Sequence, residues 1–312
     1  MKMKNPFINA YYKLSNWGKI LLFVILLLAL VIFFKGLNIK KEGFEQNKTR
    51  DIEFLSGPKI YDDFYVDIYD QLVYNKVKDD YEIGEIINKT TPNTESIILD
   101  IGSGTGHHVA SLSQKGYKNV KGIDISNAMV EQSKKNYPNL DFIQGDVINE
   151  RQFSSNSFTH ILCMYFTIYY MKDKNKFFRN CIEWLMPGGY LVIHLVDRDD
   201  FDPILPVAQP LLIISPQRYA KKRITSSQVT FDNFIYDANF QLDTSKNIAI
   251  FKEKFKFKNN NKNRNQEHIF YMETEDDILN SAQEAGFIIQ GKIDLMKVAY
   301  DYQYLYILTK PS

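Results

Sequence analysis

Cysteine is scarce in this sequence: Cys163 and Cys181 are the two among 312 residues, and their spacing suggests neither a disulfide framework nor a metal site. The five histidines do not combine with cysteines or carboxylates at the spacing of zinc ligands. The net charge is also small, at +1, so no overall basic field would hold a nucleic acid. Hydrophobic residues nevertheless make up 45% of the chain, which is enough for a sizeable core. These features predict a globular protein with two buried thiols, no metal and no nucleic-acid partner.

One apolar stretch is long, because no polar residue interrupts the chain from Ile20 to Phe34. Trp17 and Gly18 extend it towards the lower limit for a spanning helix, about 17 residues. Lys19 and Lys35 flank the stretch, and their side chains can reach the lipid headgroups. A cleaved signal peptide is the alternative, but the residues after Phe34 offer no pair of small residues to a peptidase. The sequence therefore favours a retained transmembrane helix at 19–35.

The regions around this helix set the predicted domain boundaries. Residues 1–18 form an N-terminal tail, residues 36–58 a polar linker, and residues 59–312 the folded domain. The chain is thus predicted to be a single-pass membrane protein. Basic residues on the two sides of the helix nearly balance, so the positive-inside comparison does not place the domain on either side.

From residue 59 onward, short β-branched runs alternate with segments at helical spacing, which is typical of βαβ units. Helices are predicted at 107–114, 126–136 and 174–185 and again from 273. The predicted strands are Ser96–Ile101, Val120–Ile125, Leu140–Ile143, Phe158–Met164 and Tyr190–Val196, followed by an antiparallel pair, Phe287–Asp294 and Gln303–Leu308. The pattern predicts a Rossmann-like, doubly wound α/β sheet of seven strands. Residues 199–270 interrupt it as an antiparallel, β-rich insertion, predicted to act as a substrate flap.

A glycine-rich turn follows the first strand of this sheet. The strand ends in an acidic residue and leads into a helix through Asp100, Gly102, Ser103, Gly104 and Gly106. Glycines permit positive φ and close approach of a ligand, and a helix N-terminus offers free N–H groups to an anion. His107 stands where the dinucleotide pattern G-x-G-x-x-G requires its last glycine, so that fingerprint is not met.

Two further strands end in carboxylates at the same edge of the sheet. Asp124 lies about 20 residues after the turn, where a carboxylate can accept hydrogen bonds from both ribose hydroxyls of an adenosine. Asp146 follows the third strand, and with the backbone N–H of Val147 it could recognise the edge of an adenine. Ordinary turn chemistry would explain each group alone, but it requires three coincidences at the correct spacing. The sequence therefore predicts a site for an adenosyl ligand.

These motifs resemble the class I S-adenosylmethionine-dependent methyltransferases of the small-molecule type. The resemblance covers residues 60–198 and resumes from 273, and it rests on LDIGSGTG (99–106), GIDIS (122–126), GDV (145–147), FTHILCMY (158–165) and LMPGGYLVI (185–193). It implies S-adenosylmethionine as cofactor, with its methionine part held by Asp100 and the glycine turn. It also implies that Asp124 holds the ribose and that Asp146 and Val147 hold the adenine, with Ile125 as a further cofactor-binding residue. Met129 matches a position that packs on the adenine ring, although a role in the helix core fits equally well.

Aromatic residues supply the candidates around the reacting methyl group. Tyr61, Tyr65 and Tyr69 fall four residues apart on one helical face, and the segment resembles the tyrosine-rich entry helix that covers the cofactor in related enzymes. We predict Tyr65 as a cofactor contact, a packing stripe being the alternative. Tyr165 is the candidate beside the methyl group, with a core role as its alternative. His194 is the candidate general base, followed by His268, if the nucleophile carries a proton.

The sequence thus predicts a methyltransferase that acts on a small-molecule, lipid-like or other membrane-associated acceptor. Two alternatives stay open. A methyltransferase-like domain without turnover would serve as a cofactor-binding module tethered to a membrane. An NAD-dependent oxidoreductase would bind a nucleotide without methyl transfer, but the glycine spacing disfavours it.

Overall fold

The computed structural model describes residues 15–37, with side chains through Leu27, and residues 52–149, 151–209, 215–259 and 262–312. It divides into two compact units, residues 1–49 and 50–312. The described part of the first unit contains one helix, α1 (Asn16–Leu37). Across the residues described, no helix combines the length and apolar character needed to cross a bilayer. The predicted transmembrane helix at 19–35 is therefore not supported by the structure. Residues 1–14 of the predicted tail and 38–51 of the predicted linker lie outside the described residues.

The second unit contains the other helices and all the strands described. The helices are α2 (Asp63–Val73), α3 (Lys76–Thr90), α4 (His107–Gln114), α5 (Asn127–Asn136), α6 (Lys174–Trp184) and α7 (Glu275–Glu284). The strands are β1 (Ile52–Ser56), β2 (Ile97–Ile101), β3 (Asn119–Asp124), β4 (Asp141–Gln144), β5 (Phe158–Cys163), β6 (Leu185–Val196), β7 (Ser226–Thr230), β8 (Phe234–Asp243), β9 (Ile248–Phe257), β10 (Asn263–Tyr271), β11 (Ile288–Asp294) and β12 (Gln303–Thr309).

The central sheet has seven strands in the order β4-β3-β2-β5-β6-β12-β11. The five strands from β2 to β6 are parallel, and β12 runs antiparallel to both of its neighbours. Alternate residues of the strands face different cores: Ile98 packs with α3, α4 and α5, whereas Leu99 packs with α2, α6 and α7. Such apolar strands are buried on both faces because helices cover both sides of a parallel sheet. The predicted doubly wound sheet of seven strands is confirmed.

Strand β6 begins earlier than expected, at Leu185 rather than Tyr190. Pro187 and the glycine pair at 188–189 lie inside the strand, where the pairing with β5 shifts register and Gly188 adopts a φ of 75°. A β-bulge accommodates this extra length without ending the strand.

A second sheet of five strands, in the order β1-β10-β9-β8-β7, is formed largely by the insertion. Strands β7 to β10 pair antiparallel, as expected for residues 199–270. Strand β1 pairs parallel with β10, although residues 52–56 fall within the segment predicted as a linker. The unpaired edge of β10 explains this difference, because an exposed edge binds any extended segment that is held nearby.

Strand β9 places its aromatic residues and its lysines on opposite faces, as its alternating sequence predicts. Phe251 and Phe255 are buried in the core that both sheets share. On the other face, Lys252 Nζ lies 3.5 Å from Glu267 and Lys256 Nζ lies 2.6 Å from Asp237. The second sheet therefore packs its apolar face against the core of the seven-stranded sheet and keeps a paired, polar outer face.

Candidate functional site

The glycine turn connects β2 to α4 through three residues with positive φ: Gly102 at 68°, Gly104 at 52° and Gly106 at 94°. The N–H groups of Gly102 and Ser103 donate to the carbonyl of Ile123 at 2.8 and 3.1 Å, which ties the turn to the next strand. A Cβ added at Gly102 would lie 2.5 Å from the side chain of Thr167. Residues with a side chain rarely adopt this backbone conformation, so the turn depends on glycine at this position.

Asp124 lies directly against this turn. Its Oδ2 accepts a hydrogen bond from the N–H of Gly104 at 3.0 Å, and its Oδ1 accepts one from the N–H of Ser126 at 2.9 Å. Burial raises the pKa of this carboxyl above its usual value, although these N–H donors act in the opposite direction. The predicted approach of Asp124 to the glycine turn is present in the structure, because parallel strands bring their carboxyl ends to one edge of the sheet.

The third strand tip completes this edge. The N–H of Gly145 donates to the carbonyl of Asp124 at 3.0 Å, and Asp146 follows with an exposed side chain. The Oδ1 of Asp146 accepts from the N–H of Ile148 at 2.9 Å, which caps its own turn. The carbonyl of Val147 is held by Asn180 at 2.9 Å. These bonds position the backbone beside the place where an adenine was predicted.

A cavity of about 760 Å³ extends from these strand tips to the aromatic face of the second sheet. Its size lies within the usual range for small-molecule sites, roughly 300–1,000 Å³. Predicted site residues that line it are Tyr65, Gly102, Ser103, Gly104, Asp124, Ile125, Met129, Asp146, Val147 and Tyr165. Residues of the second sheet also line it, among them Phe251, His268 and Phe270.

Three predicted site residues do not line this cavity. Asp100 is buried beneath the turn, where burial raises the pKa of its carboxyl to about 6. Gly106 is the N-cap of α4, and a Cβ there would lie 2.7 Å from the ring of Phe142, so packing requires a glycine at this position. His194 lies inside β6 and is fully buried, and burial is the main cause that lowers the pKa of its imidazole to about 3. The structure therefore does not support His194 as a general base.

Tyr165 follows β5 with a φ of 51°, which is uncommon for a residue with a side chain. Such backbone conformations cluster at functional sites, where surrounding contacts maintain them. The ammonium of Lys78 lies 5.0 Å from the centre of the Tyr165 ring, and burial raises the pKa of the phenol well above 10. Tyr165 is therefore a neutral, positioned side chain on the cavity wall.

A buried charge cluster at the start of α3 was missed by the sequence analysis. Within the described parts of the chain, Asp79, Glu82 and His108 place their ligand atoms within 4.8 Å of one another. Lys78 Nζ donates to Glu82 at 2.8 Å, so an ammonium already compensates this carboxylate. The absence of a metal stays a prediction. No sequence signal marked this cluster, because α3 and α4 bring its members together only after folding.

A second missed group centres on Glu253 of β9, which is 2% exposed. The Tyr65 hydroxyl donates to its Oε1 at 3.1 Å, and His268 Nε2 lies 2.6 Å from its Oε2. The sequence did contain a signal, since Glu253 interrupts the aromatic face of the alternating segment 251–258. A charged residue on the buried face of a strand needs partners, and here the partners lie on α2 and β10.

Comparisons with known proteins agree with this geometry. Residues 98–189 match the family described as a methyltransferase domain. The phosphoethanolamine N-methyltransferase of Plasmodium falciparum is 24% identical over 268 residues, which cover 81% of this chain and 88% of that protein. The CcbJ methyltransferase of Streptomyces caelestis superposes with a TM-score of 0.64 at 13% identity, over 82% of this chain and 100% of its own. An S-adenosylmethionine-dependent methyltransferase of Clostridium acetobutylicum superposes with a TM-score of 0.61 at 17% identity, over 80% of this chain and 98% of its own.

The fold and the three strand-tip motifs define an α/β protein with a nucleotide-type site at one sheet edge. The family match, together with these motifs, identifies a class I S-adenosylmethionine-dependent methyltransferase domain, and S-adenosylmethionine is its cofactor. The residues present fit this group. Among the described residues, the buried hydroxyl of Ser103, which lines the cavity at the turn, has no hydrogen-bond partner. Unpartnered buried polar atoms of this kind fit the polar tail of a ligand.

Proposed function

We propose that this protein transfers the methyl group of S-adenosylmethionine to a small-molecule acceptor. The observation that carries the proposal is one continuous cavity, which extends from the sheet edge at Asp124 and Gly104 to the aromatic face of the second sheet. One end has the groups for an adenosyl cofactor, and the other end has space and side chains for an acceptor. The name of the Plasmodium falciparum relative gives a small molecule, phosphoethanolamine, as its acceptor, which supports the same class here.

In this proposal the residues of the chain bind the cofactor and position the acceptor. The bound cofactor supplies an electrophilic methyl group on a sulfonium. Asp124 would hold the ribose, the turn at Gly102 and Gly104 the methionine part, and Asp146 with Val147 the adenine. Tyr165 would lie beside the methyl group and align the acceptor. Positioning of this kind accounts for much of the rate of a bimolecular transfer.

The insertion would cover the acceptor. Residues of β8, β9 and β10 line the cavity, and the sheet shares one core with the strands of the domain. Closing a site against water strengthens its electrostatic interactions and prevents hydrolysis. This is the basis for proposing the 199–270 insertion as a substrate flap.

Two measurements test the proposed function. Calorimetry of the full chain with S-adenosylmethionine is expected to give binding at one site, whereas NAD should give none. Incubation with methyl-labelled cofactor and a small-molecule extract is expected to label an acceptor. Binding without transfer would favour the inactive binding module, and binding of NAD in place of S-adenosylmethionine would favour the oxidoreductase.

We also propose that the chain is held at a membrane through residues 19–35. The support is the apolar sequence from Ile20 to Phe34 and the exposure of apolar side chains on α1, such as Leu21 at 62% and Phe23 at 65%. We expect the full chain to sediment with membranes and to resist alkaline carbonate. A variant with Leu22→Lys and Leu26→Lys should become extractable, since each charge inside a span costs about 2.5–3.5 kcal/mol. Recovery of the unaltered chain in the soluble fraction would contradict the proposal.

A further inference from the structure

We propose that the methyl acceptor is an amine that binds as its ammonium ion, and that a proton relay removes its proton before transfer. The relay consists of Tyr61, Tyr170, His268 and Glu253. This inference rests on the proposed methyltransferase function and specifies the acceptor of the same cavity. Four observations carry it: the donors around Glu253, the direction of the hydrogen bonds, the tyrosine rings at the cavity wall and the buried negative charge.

Glu253 is surrounded by hydrogen-bond donors. Its Oε1 accepts from the hydroxyls of Tyr65 at 3.1 Å and Tyr236 at 2.5 Å. Its Oε2 accepts from the amide of Gln266 and lies 2.6 Å from His268 Nε2. Burial alone would raise the pKa of this carboxyl, but His268 and the donors lower it below the usual value. Glu253 is therefore the ionised, accepting end of the relay.

The orientation of the Gln266 amide is fixed independently. Arg264 Nε donates to Gln266 Oε1 at 2.7 Å, so the amide nitrogen faces Glu253. Arg264 is itself held by Asp62 through two bonds of 2.8 and 2.7 Å. The donor set around the carboxylate is thus anchored to the start of α2, next to Tyr61.

The ionised carboxylate sets the direction of every bond in the relay. When Nε2–H of His268 donates to Glu253 and the imidazole carries no second proton, the other ring nitrogen, Nδ1, is an acceptor. The hydroxyl of Tyr170 lies 2.7 Å from Nδ1 and donates to it. The hydroxyl of Tyr61 in turn donates to that of Tyr170 at 2.7 Å. All protons point towards Glu253, and the oxygen of Tyr61 keeps lone pairs that can accept a proton from a ligand.

Aromatic rings surround the entrance of the relay. The centre of the Tyr61 ring lies 5.6 Å from that of Tyr65, 6.3 Å from that of Tyr69 and 6.2 Å from that of Tyr170. All four tyrosines line the cavity. Burial raises the pKa of each phenol well above 10, so the rings are neutral. Neutral aromatic faces attract an ammonium through their quadrupoles.

The charge of the site also favours an ammonium ligand. Glu253 places one negative charge behind the rings, without an exposed surface to screen it. A cation entering the ring cluster is attracted by both the rings and the carboxylate, whereas an anionic nucleophile is repelled. An ammonium therefore fits better than a phenolate or a carboxylate acceptor.

The reaction balances through the relay. The ammonium gives one proton to the oxygen of Tyr61 while the proton of Tyr61 moves to Tyr170 and that of Tyr170 moves to His268 Nδ1. The resulting imidazolium is paired with the Glu253 carboxylate. The lone pair of the amine nitrogen then forms the N–C bond with the methyl group as the C–S bond breaks. The electron pair of that bond stays on sulfur, giving S-adenosylhomocysteine and a methylated ammonium, and the relay proton leaves to solvent.

The test uses the full chain, labelled S-adenosylmethionine and a panel of amines: ethanolamine, phosphoethanolamine, phenethylamine and glucosamine. Each amine is compared with the analogue that carries a hydroxyl in its place. We expect methyl groups on nitrogen only, identified by carbon-13 chemical shift. Methylation of oxygen, sulfur or carbon, or cofactor binding without N-methylation of any amine, would overturn the proposal. Failure to bind the cofactor at all would instead reject the proposed function.

The pH profile of Tyr61→Phe tests the relay itself. General acid–base groups contribute at least about a hundredfold, so kcat at pH 7 should fall by that factor with cofactor affinity unchanged. Activity of the variant should then rise about tenfold per pH unit. The reason is that the fraction of free amine rises by the same factor at pH values below an amine pKa of about 10. The unaltered protein should change little over the same range. A Tyr61→Phe variant with unaltered kcat and pH profile would disprove the relay.

Variants on β9 and β10 provide the matched comparison. Glu253→Gln should lose activity as Tyr61→Phe does, with the same recovery at high pH. Glu267→Gln removes a carboxylate that pairs with Lys252 on the outer face of the sheet and should leave kcat unchanged. Equal loss in both variants would assign the effect to the stability of the sheet and reject a role in proton transfer.

Discussion

Replacement of Asp124 by alanine is expected to weaken S-adenosylmethionine binding by at least about a hundredfold. The carboxylate holds the N–H groups of Gly104 and Ser126, and it would also accept the ribose hydroxyls of the cofactor. Hydrogen bonds to a charged group contribute about 1.5–3 kcal/mol each, so the loss of two is enough for this effect. Calorimetry at pH 7 measures it directly.

Asp141→Ala is the matched control for this change. Asp141 begins β4, is exposed and pairs with Lys121 at 2.9 Å, away from the strand tips. Its removal should leave cofactor affinity unaltered, because surface ion pairs contribute about 0–1 kcal/mol to stability and nothing to this site. An Asp124→Ala protein that is folded and binds the cofactor normally would refute the assigned site.

Gly102→Ala is expected to lower the free energy of unfolding by at least about 2 kcal/mol and to weaken cofactor binding. A left-handed backbone costs a residue with a side chain roughly 1–2 kcal/mol. The added Cβ would also lie 2.5 Å from Thr167 Cγ2, too close for contact without movement of the turn or of the segment after β5. Overpacking of this kind typically costs a further 1–3 kcal/mol or so. Urea denaturation with and without cofactor measures both effects.

Two further variants separate the causes of this loss. Combining Gly102→Ala with Thr167→Ala removes the two Thr167 atoms at 2.5 Å and leaves its Cβ at 3.1 Å. The double variant should therefore recover most of the stability lost to the steric overlap, while the backbone strain remains. Gly84→Ala in α3 meets no atom within 4 Å and should be neutral or stabilising by up to about 1 kcal/mol. If Gly102→Ala were as harmless as Gly84→Ala, the turn would not depend on its glycine.

Some structure could be read from local patterns, because neighbouring residues specify it. The strands β2 to β6 follow apolar β-branched runs, and α5 begins where Ser126 caps it by accepting from the N–H of Met129. The approach of Asp124 to the glycine turn also followed, since a parallel sheet aligns the ends of its strands. These features depend on periodicity and turn chemistry within short segments.

Other expectations failed for long-range reasons. The order of residues did not reveal that Asp100 and Gly106 do not line the cavity, because that depends on burial at the end of β2 and on the packing of the turn against Phe142. Nor did it reveal that His194 is enclosed within β6. The pairing of residues 52–56 with β10 joins positions more than two hundred residues apart, and no local pattern predicts such a partner.

The sequence by itself determined the doubly wound sheet, the glycine turn and the three strand-tip groups predicted to hold an adenosyl cofactor, because each is encoded in contiguous residues. Tertiary structure alone decided the part of the cavity proposed to bind the acceptor. Glu253, His268 and Tyr61 come from three separate segments, and only the packing of the second sheet against α2 brings them within hydrogen-bond distance through Tyr170. Burial then strengthens the electrostatic interactions among these groups, because water would screen their charges from one another if they were exposed.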